Sequence, residues 1–196
     1  FIQAFEQHFP PEKFIRVNEI YTVDELLEYM IVYSDNNAKI VLDAYLENIN
    51  PTDSLFFNVL EELGFYGENR LPDESLTVKQ VSSMFRLLYN GSYLSKEMSQ
   101  KALLLLARST FTKGIRGGLD PNIVSATKFG ERQSDDNIDQ LHDCGVVYHP
   151  HGHYLLCIMT QGKSYAKLSQ VIMEISRLVS EEIQHRAEQG TPNERL

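Results

Sequence analysis

Tyr33-Ser34-Asp35-Asn36 closes an apolar run that begins near Thr22, and Lys128-Phe129-Gly130 follows about ninety residues later, at the end of a strand-like stretch. The reading of these two short motifs decides the fold. Thr22 has the character of an N-cap, with Glu25 at the third position after it, the capping-box pattern. Leu26, Leu27, Met30 and Ile31 then repeat at helical spacing and predict a buried stripe. The helix is expected to stop at Ser34-Asp35-Asn36-Asn37, because these side chains bond nearby backbone and favour turns.

Outward from this point the chain continues helical. Residues 38–49 place Val41, Leu42, Tyr45 and Leu46 on one face, and Asn50-Pro51 breaks the run. A further helix is predicted over 54–63 and is ended by Gly64; residues 64–75 read as a polar loop. Residues 77–89 and 95–107 make two more amphipathic helices separated by Asn90-Gly91. Residues 112–122 are loop, and residues 1–20, with Pro10-Pro11, are loop with one short element.

The C-terminal third changes character. Strands are predicted over 123–128, 145–148 and 154–159, the last two joined as a hairpin through His149-Pro150-His151-Gly152-His153. A long helix follows over 164–185, with Leu168, Val171, Ile172, Ile175, Leu178, Val179 and Ile183 on one face, set to pack on the sheet. The expectation is a single mixed α/β (α+β) domain over 1–196: a helical block at about 21–110, then an antiparallel sheet backed by a C-terminal helix at about 123–186.

Composition sets limits on function. The 196 residues carry a net charge of −9, with 42% hydrophobic and 23% charged residues, the balance of an ordinary globular domain. Such a charge argues against a nucleic-acid binder, which needs clustered Lys and Arg to displace counterions. No apolar run approaches the ~18 residues that span a bilayer, and no signal peptide is recognisable. Phe1, rather than Met, opens the chain inside what reads as folded sequence, so the expectation is a fragment or processed form of a longer protein.

Tyr33-Ser34-Asp35-Asn36, Thr127-Lys128-Phe129-Gly130 and His142-Asp143-Cys144-Gly145-Val146-Val147-Tyr148 together resemble class A β-lactamases and related penicillin-binding proteins, as does the strand ending Ile158-Met159-Thr160-Gln161-Gly162. The motif order is that of the family's second and third signatures. The likeness runs from about Tyr21 to Glu182. It implies a β-lactamase/DD-peptidase-like fold, truncated at its N-terminus, and a serine hydrolase that acts on β-lactams or D-Ala-D-Ala peptidoglycan peptides through an acyl-serine intermediate. It implies no cofactor and no metal, and a place in the cell envelope, periplasm or extracellular space.

The same resemblance assigns roles. Ser34 corresponds to the hydroxyl that relays a proton to the leaving nitrogen, and Lys128 to the cation that favours the transfer and attracts the substrate carboxylate. Asn36 corresponds to the side-chain amide that pairs with the substrate amide. Gly130, the third residue of the Lys128 motif, belongs to the same substrate-binding strand. Asp35 reads as structural, holding backbone N–H groups of the turn. By position, the backbone N–H of Glu131 is an oxyanion donor, a group worth about 3 kcal/mol where such donors are removed.

Three departures stand out. Phe129 occupies a position where the family has Thr or Ser, so a carboxylate-binding hydroxyl is missing. The loop over 64–75 is short for the family's Ω loop, and Glu68-Asn69-Arg70-Leu71-Pro72 imitates its deacylating motif only in part. Glu68 is read as a solvated charge, which favours penicillin-binding or peptidase character over rapid β-lactam destruction. Most important, the nucleophilic Ser-x-x-Lys is not upstream of Ser34. Ser125…Lys128 lies on a strand, where residues three apart face opposite sides, and Ser164…Lys167 comes after both other motifs. The nucleophile, with two strands that complete the sheet, is therefore expected before Phe1, and the 196-residue chain alone is expected to be inactive. The alternative reading is a catalytically inert, penicillin-binding-like module that binds wall peptides or a partner.

Two further features read blandly. His149, His151 and His153 alternate as metal ligands can, but Pro150 and Gly152 make their segment a solvated turn. Cys144 and Cys157 fall nearly opposite each other on the hairpin, where a disulfide and a pair of packed thiols both fit.

Overall fold

The computed structural model describes residues 7–51, 55–65, 76–134 and 136–190. Local chemistry sets the helix starts. Thr22 caps α1 (Val23–Val32), its Oγ1 accepting from the Glu25 N–H while Glu25 accepts from the Thr22 N–H. Thr77 and Gln80 repeat the reciprocal arrangement at α4 (Val78–Asn90), and Ser95 caps α5 (Lys96–Ala107). Between them lie α2 (Asn36–Ile49) and α3 (Leu55–Glu62). Gly91 ends α4 in the left-handed region at φ 58°, where a Cβ would be strained.

A 3-10 turn, Ile115–Gly118, leads into β1 (Val124–Gln133), β2 (Asp139–Tyr148), β3 (Tyr154–Gly162) and finally α6 (Tyr165–Glu188). The strands form one antiparallel sheet in the order β1-β2-β3. Its two faces are packed differently. On one, Phe129, Leu141, Val147 and Ile158 meet Ile115 and the α6 residues Leu168 and Ile172. On the other, Ala126 and Cys144 meet Phe85 of α4 and Leu106 of α5. A separate small core of Ile15, Leu26, Ala38 and Leu42 joins α1 to α2. The helical block thus lies on the sheet face opposite α6.

The order of elements matches the sequence reading, and several details do not. β1 and β2 extend well beyond 123–128 and 145–148, because the charged residues at their ends still pair, Glu131 with Leu141 and Gln133 with Asp139. On α6 the buried positions include Ser169, Ser176 and Ser180 beside Leu168 and Ile172, while Val171, Ile175 and Leu178 are exposed. The cause is the close approach of the 3-10 turn: Ser169 donates to the Lys113 carbonyl at 2.7 Å and Ser176 to the Ile115 carbonyl at 2.8 Å. A Cβ on Gly118 would lie 2.0 Å from the Met173 carbonyl oxygen. On α2, Ala38 and Leu42 are buried whereas Val41, Tyr45 and Leu46 are exposed.

Cys144 and Cys157 are register partners on β2 and β3 and are joined as a disulfide. His149 is buried, its Nδ1 accepting the His151 N–H, and His153 pairs with the Tyr89 hydroxyl. Among the described residues no group of three or more His, Cys, Asp or Glu side chains is placed to hold a metal ion. No described helix is long and apolar enough to cross a membrane.

Candidate active site

The corner between α1 and α2 is built by Asp35. Its carboxylate is 2% exposed and accepts the Asn37 N–H at 2.9 Å and the Ile15 N–H at 2.8 Å. It is the N-cap of α2, so Asn36 and Asn37 begin the second helix rather than prolong a turn. This corrects the boundary drawn from sequence; the Asp35 side chain supplies what the first turn of a helix lacks. Ser34 precedes the cap at φ 59°, an unfavourable conformation for a residue with a Cβ. That twist turns its side chain toward the sheet.

Lys128 meets it there. Residues alternate along β1, so Ala126, Lys128 and Gly130 share the face toward the helical block while Ser125, Thr127 and Phe129 face the other way. Lys128 Nζ donates to Ser34 Oγ at 2.5 Å and to the Phe129 carbonyl at 3.1 Å. Burial lowers the Lys128 pKa from its ordinary 10.5 to about 8, against the opposing pull of Asp143 and Glu131. The ammonium is therefore poised to hold a proton at neutral pH and to stabilise negative charge on Ser34 Oγ.

Ser34, Asp35, Asn36, Lys128, Gly130 and Glu131 all line one cleft of about 400 Å³. A Cβ at Gly130 would meet nothing within 4 Å, so the strand is open to a ligand at that point. Gln7 lines the same cleft and donates through its side-chain amide to the Ser34 carbonyl at 3.3 Å. A larger, mostly apolar hollow of about 610 Å³ between α4 and α5 contains none of these residues.

Phe129 is built into an aromatic cluster. Its ring stacks on Phe111 at 3.8 Å between centroids and meets Phe9 edge-on at 6.2 Å. It also lies 4.6 Å from Lys128 Nζ, a cation–π distance. The other Ser-x-x-Lys candidates are occupied elsewhere. Ser125 is 1% exposed and faces away from Lys128, and Ser164 is the N-cap of α6. Glu68 and its neighbours through Pro72 lie outside the described residues.

Sequence reasoning missed the structural part played by Asp143. This carboxyl is 1% exposed; one oxygen accepts the Ile115 N–H at 2.7 Å and the other is buried without a partner. Burial raises its pKa from 3.8 to about 7, although the Ile115 N–H and the nearby Lys128 and Arg116 charges pull downward. An acid amid Leu141, Cys144 and Val146 was the available signal.

A model of the β-lactamase enzyme family (Beta-lactamase2) matches residues 8–183. The chain belongs to this family, and the match begins before the likeness seen from Tyr21 onward. Among solved structures the fold is similar to that of PBP-A, at 21% identity and a TM-score of 0.68, over 87% of this chain and 64% of that one. It is similar to a class A β-lactamase from Mycobacterium abscessus at 20% identity and a TM-score of 0.67, over 84% of this chain and 66% of that one. A class A β-lactamase representative from Bacteroides cellulosilyticus gives 20% identity and a TM-score of 0.64, over 82% and 63% of the respective chains. The chain thus spans less than two thirds of the length of these structures. A PBP-A variant is known as an acyl-enzyme complex with penicillin G. No curated protein sequence matches the chain.

Proposed function

We propose that this chain carries the proton-relay and substrate-clamping half of a serine hydrolase that acts on β-lactams or on peptides ending in D-Ala-D-Ala. The observation that carries the reading is the 2.5 Å contact between Lys128 Nζ and Ser34 Oγ, inside a cleft that also holds Asn36 and Gly130. In the reaction, a nucleophilic serine from sequence outside these 196 residues bonds to the carbonyl carbon. The nucleophile's proton passes to Ser34 as the Ser34 hydroxyl hands its own to the leaving nitrogen, so the C–N bond breaks and Ser34 ends as a neutral hydroxyl. The Lys128 ammonium stabilises the negative charge that develops on Ser34 Oγ on the way. Asn36 holds the acyl-side amide, the Glu131 N–H receives charge on the carbonyl oxygen, and Asp35 keeps the corner in place. No cofactor enters the scheme. The disulfide supports a place outside the reducing cytoplasm, in the cell envelope or beyond.

A second reading is favoured by Phe129, whose ring stands in place of a carboxylate-binding hydroxyl: an inert module that holds a wall peptide or a partner without turnover. Labelling with a fluorescent penicillin separates the two. Full-length protein becomes covalently labelled on the first reading and stays unlabelled on the second, while the 196-residue chain alone stays unlabelled on both. Nitrocefin turnover by the labelled protein then distinguishes a lactamase from a peptidase.

A further inference from the structure

Each residue of the Tyr33–Asp35 corner is touched by one stretch of chain from earlier in the sequence, residues 7–15. The Gln7 side-chain amide donates to the Ser34 carbonyl at 3.3 Å. Lys13 Nζ lies 5.2 Å from the centre of the Tyr33 ring, and the Ile15 N–H donates to the Asp35 carboxylate at 2.8 Å. Between Gln7 and Lys13 the stretch is fastened to the sheet. The Phe9 N–H donates to a Glu131 carboxylate oxygen at 3.1 Å. The Phe9 ring meets those of Phe111, Phe129 and Tyr165 with centroids 5.2, 6.2 and 5.8 Å away. Phe129 and Glu131 alternate to the face of β1 turned away from Ser34 and Lys128, and β1 is an edge of the sheet. The stretch therefore runs from the corner round the free edge of β1 to its far face and back. It joins the two walls that carry Ser34 and Lys128.

Ser34 needs such a hold. A residue with a Cβ keeps a left-handed φ, here 59°, only where its surroundings over-determine it. The Asp35 cap fixes the chain that follows Ser34, and the Lys128 bond engages its side chain. The Gln7 amide holds the carbonyl of Ser34 itself. Relaxation of Ser34 out of the left-handed region would swing that carbonyl off Gln7 and the hydroxyl off Lys128 together. We infer that Gln7 is a positioning residue of the acyl-transfer site: by holding the Ser34 carbonyl it keeps the Ser34 hydroxyl in register with Lys128. Phe9 is the anchor that keeps Gln7 in place. Gln7 acts through Ser34 and touches no reacting atom. The inference rests on the acyl-transfer reading above.

Gln7→Met tests it, since it keeps the length of the side chain and loses the donor. Gln7→Glu, of the same shape and without a donor at neutral pH, is the second variant should the first fail to fold. Acylation of the full-length protein by penicillin G is followed by mass spectrometry over a range of penicillin concentrations. This separates the first-order acylation constant from the half-saturating concentration. The expected result is a first-order constant lower by about three- to tenfold, the worth of one hydrogen bond, with half-saturation unchanged. In a Ser34→Ala background, followed over longer times, the same substitution is expected to change nothing further, because the hydroxyl it positions is absent. If Ser34→Ala does not react at all, the split between the two constants decides. A merely structural role would lower Tm and leave the first-order constant where it was, and that result overturns the inference. So does a fall confined to half-saturation, or an equal fall in both backgrounds. Each of these leaves the acyl-transfer reading standing, because the wild type still reacts. A wild-type protein that penicillin G does not acylate overturns that reading and this inference with it.

Discussion

Lys128 Nζ and Ser34 Oγ are 2.5 Å apart although 94 residues separate them in the chain. The contact joins the sheet to the corner between the first two helices, and both partners are held there by backbone. Lys128 is fixed by the β1–β2 register, opposite Cys144. Ser34 is fixed by the Asp35 cap and by a left-handed φ of 59°.

The first prediction concerns pH. Burial holds the Lys128 pKa at about 8, below its ordinary 10.5, so the cation is present below about pH 8 and lost as pH rises through it. Acylation of full-length protein by penicillin G is expected to fall along a basic limb centred near pH 8. Lys128→Arg, which retains its charge, is expected to lack that limb whatever its absolute rate. A flat wild-type profile from pH 6 to about 10 would show that the Lys128 charge is not needed.

Ser34 stores strain for position. A non-glycine residue at φ 59° costs on the order of 1 kcal/mol or more. Ser34→Gly is expected to stabilise the fold by about 1 kcal/mol in denaturant titration while removing the hydroxyl that meets Lys128. A loss of stability instead would mean that the Ser34–Lys128 bond outweighs the backbone strain.

Asp143 makes the stability pH-dependent in a direction unusual for a carboxylate. Its pKa is raised from 3.8 to about 7, so the native state keeps a proton that the unfolded state loses. This contribution is fully present below about pH 4 and is lost as pH rises through about 7. Asp143→Asn retains an acceptor for the Ile115 N–H and is expected to flatten the decline in Tm between pH 4 and 7. Thermal melts of both proteins across that range check it; parallel curves would count against a raised Asp143.

Phe129 ties specificity to stability. The ring is 8% exposed and packs on Phe111 and Phe9. Phe129→Thr restores a hydroxyl at the family's position but is expected to cost about 3 kcal/mol of folding free energy by denaturant titration. A cost under ~1 kcal/mol would show that the aromatic cluster adds little.

Much of this arrangement was legible in sequence where the signal is local. Thr22, Thr77 and Ser95 announce helix starts because a short polar side chain reaches backbone N–H groups two or three residues on. The helical block followed by sheet and helix could be read for the same reason. Ser34 and Lys128 were paired through motif resemblance, since nothing local in either segment points to the other. What was illegible depends on tertiary packing. The distal halves of β1 and β2 carry Glu131, Arg132 and Gln133 beside Asp139 and Gln140, residues that read as loop until strand pairing satisfies their backbone. Ser169 and Ser176 of α6 are buried because the segment at the 3-10 turn comes close enough to take their hydroxyls on its carbonyls. The second helix begins at Asn36 because one carboxylate, Asp35, serves both Asn37 and the distant Ile15, and only the cap is a local event.

The central claim is that Ser34, backed by Lys128, delivers the proton to the leaving nitrogen. Its most direct test is the single-turnover acylation rate of full-length protein with penicillin G, wild type against Ser34→Ala. The account predicts a fall of about a hundredfold or more, with folding intact by circular dichroism. An unchanged rate in a folded Ser34→Ala protein would contradict it.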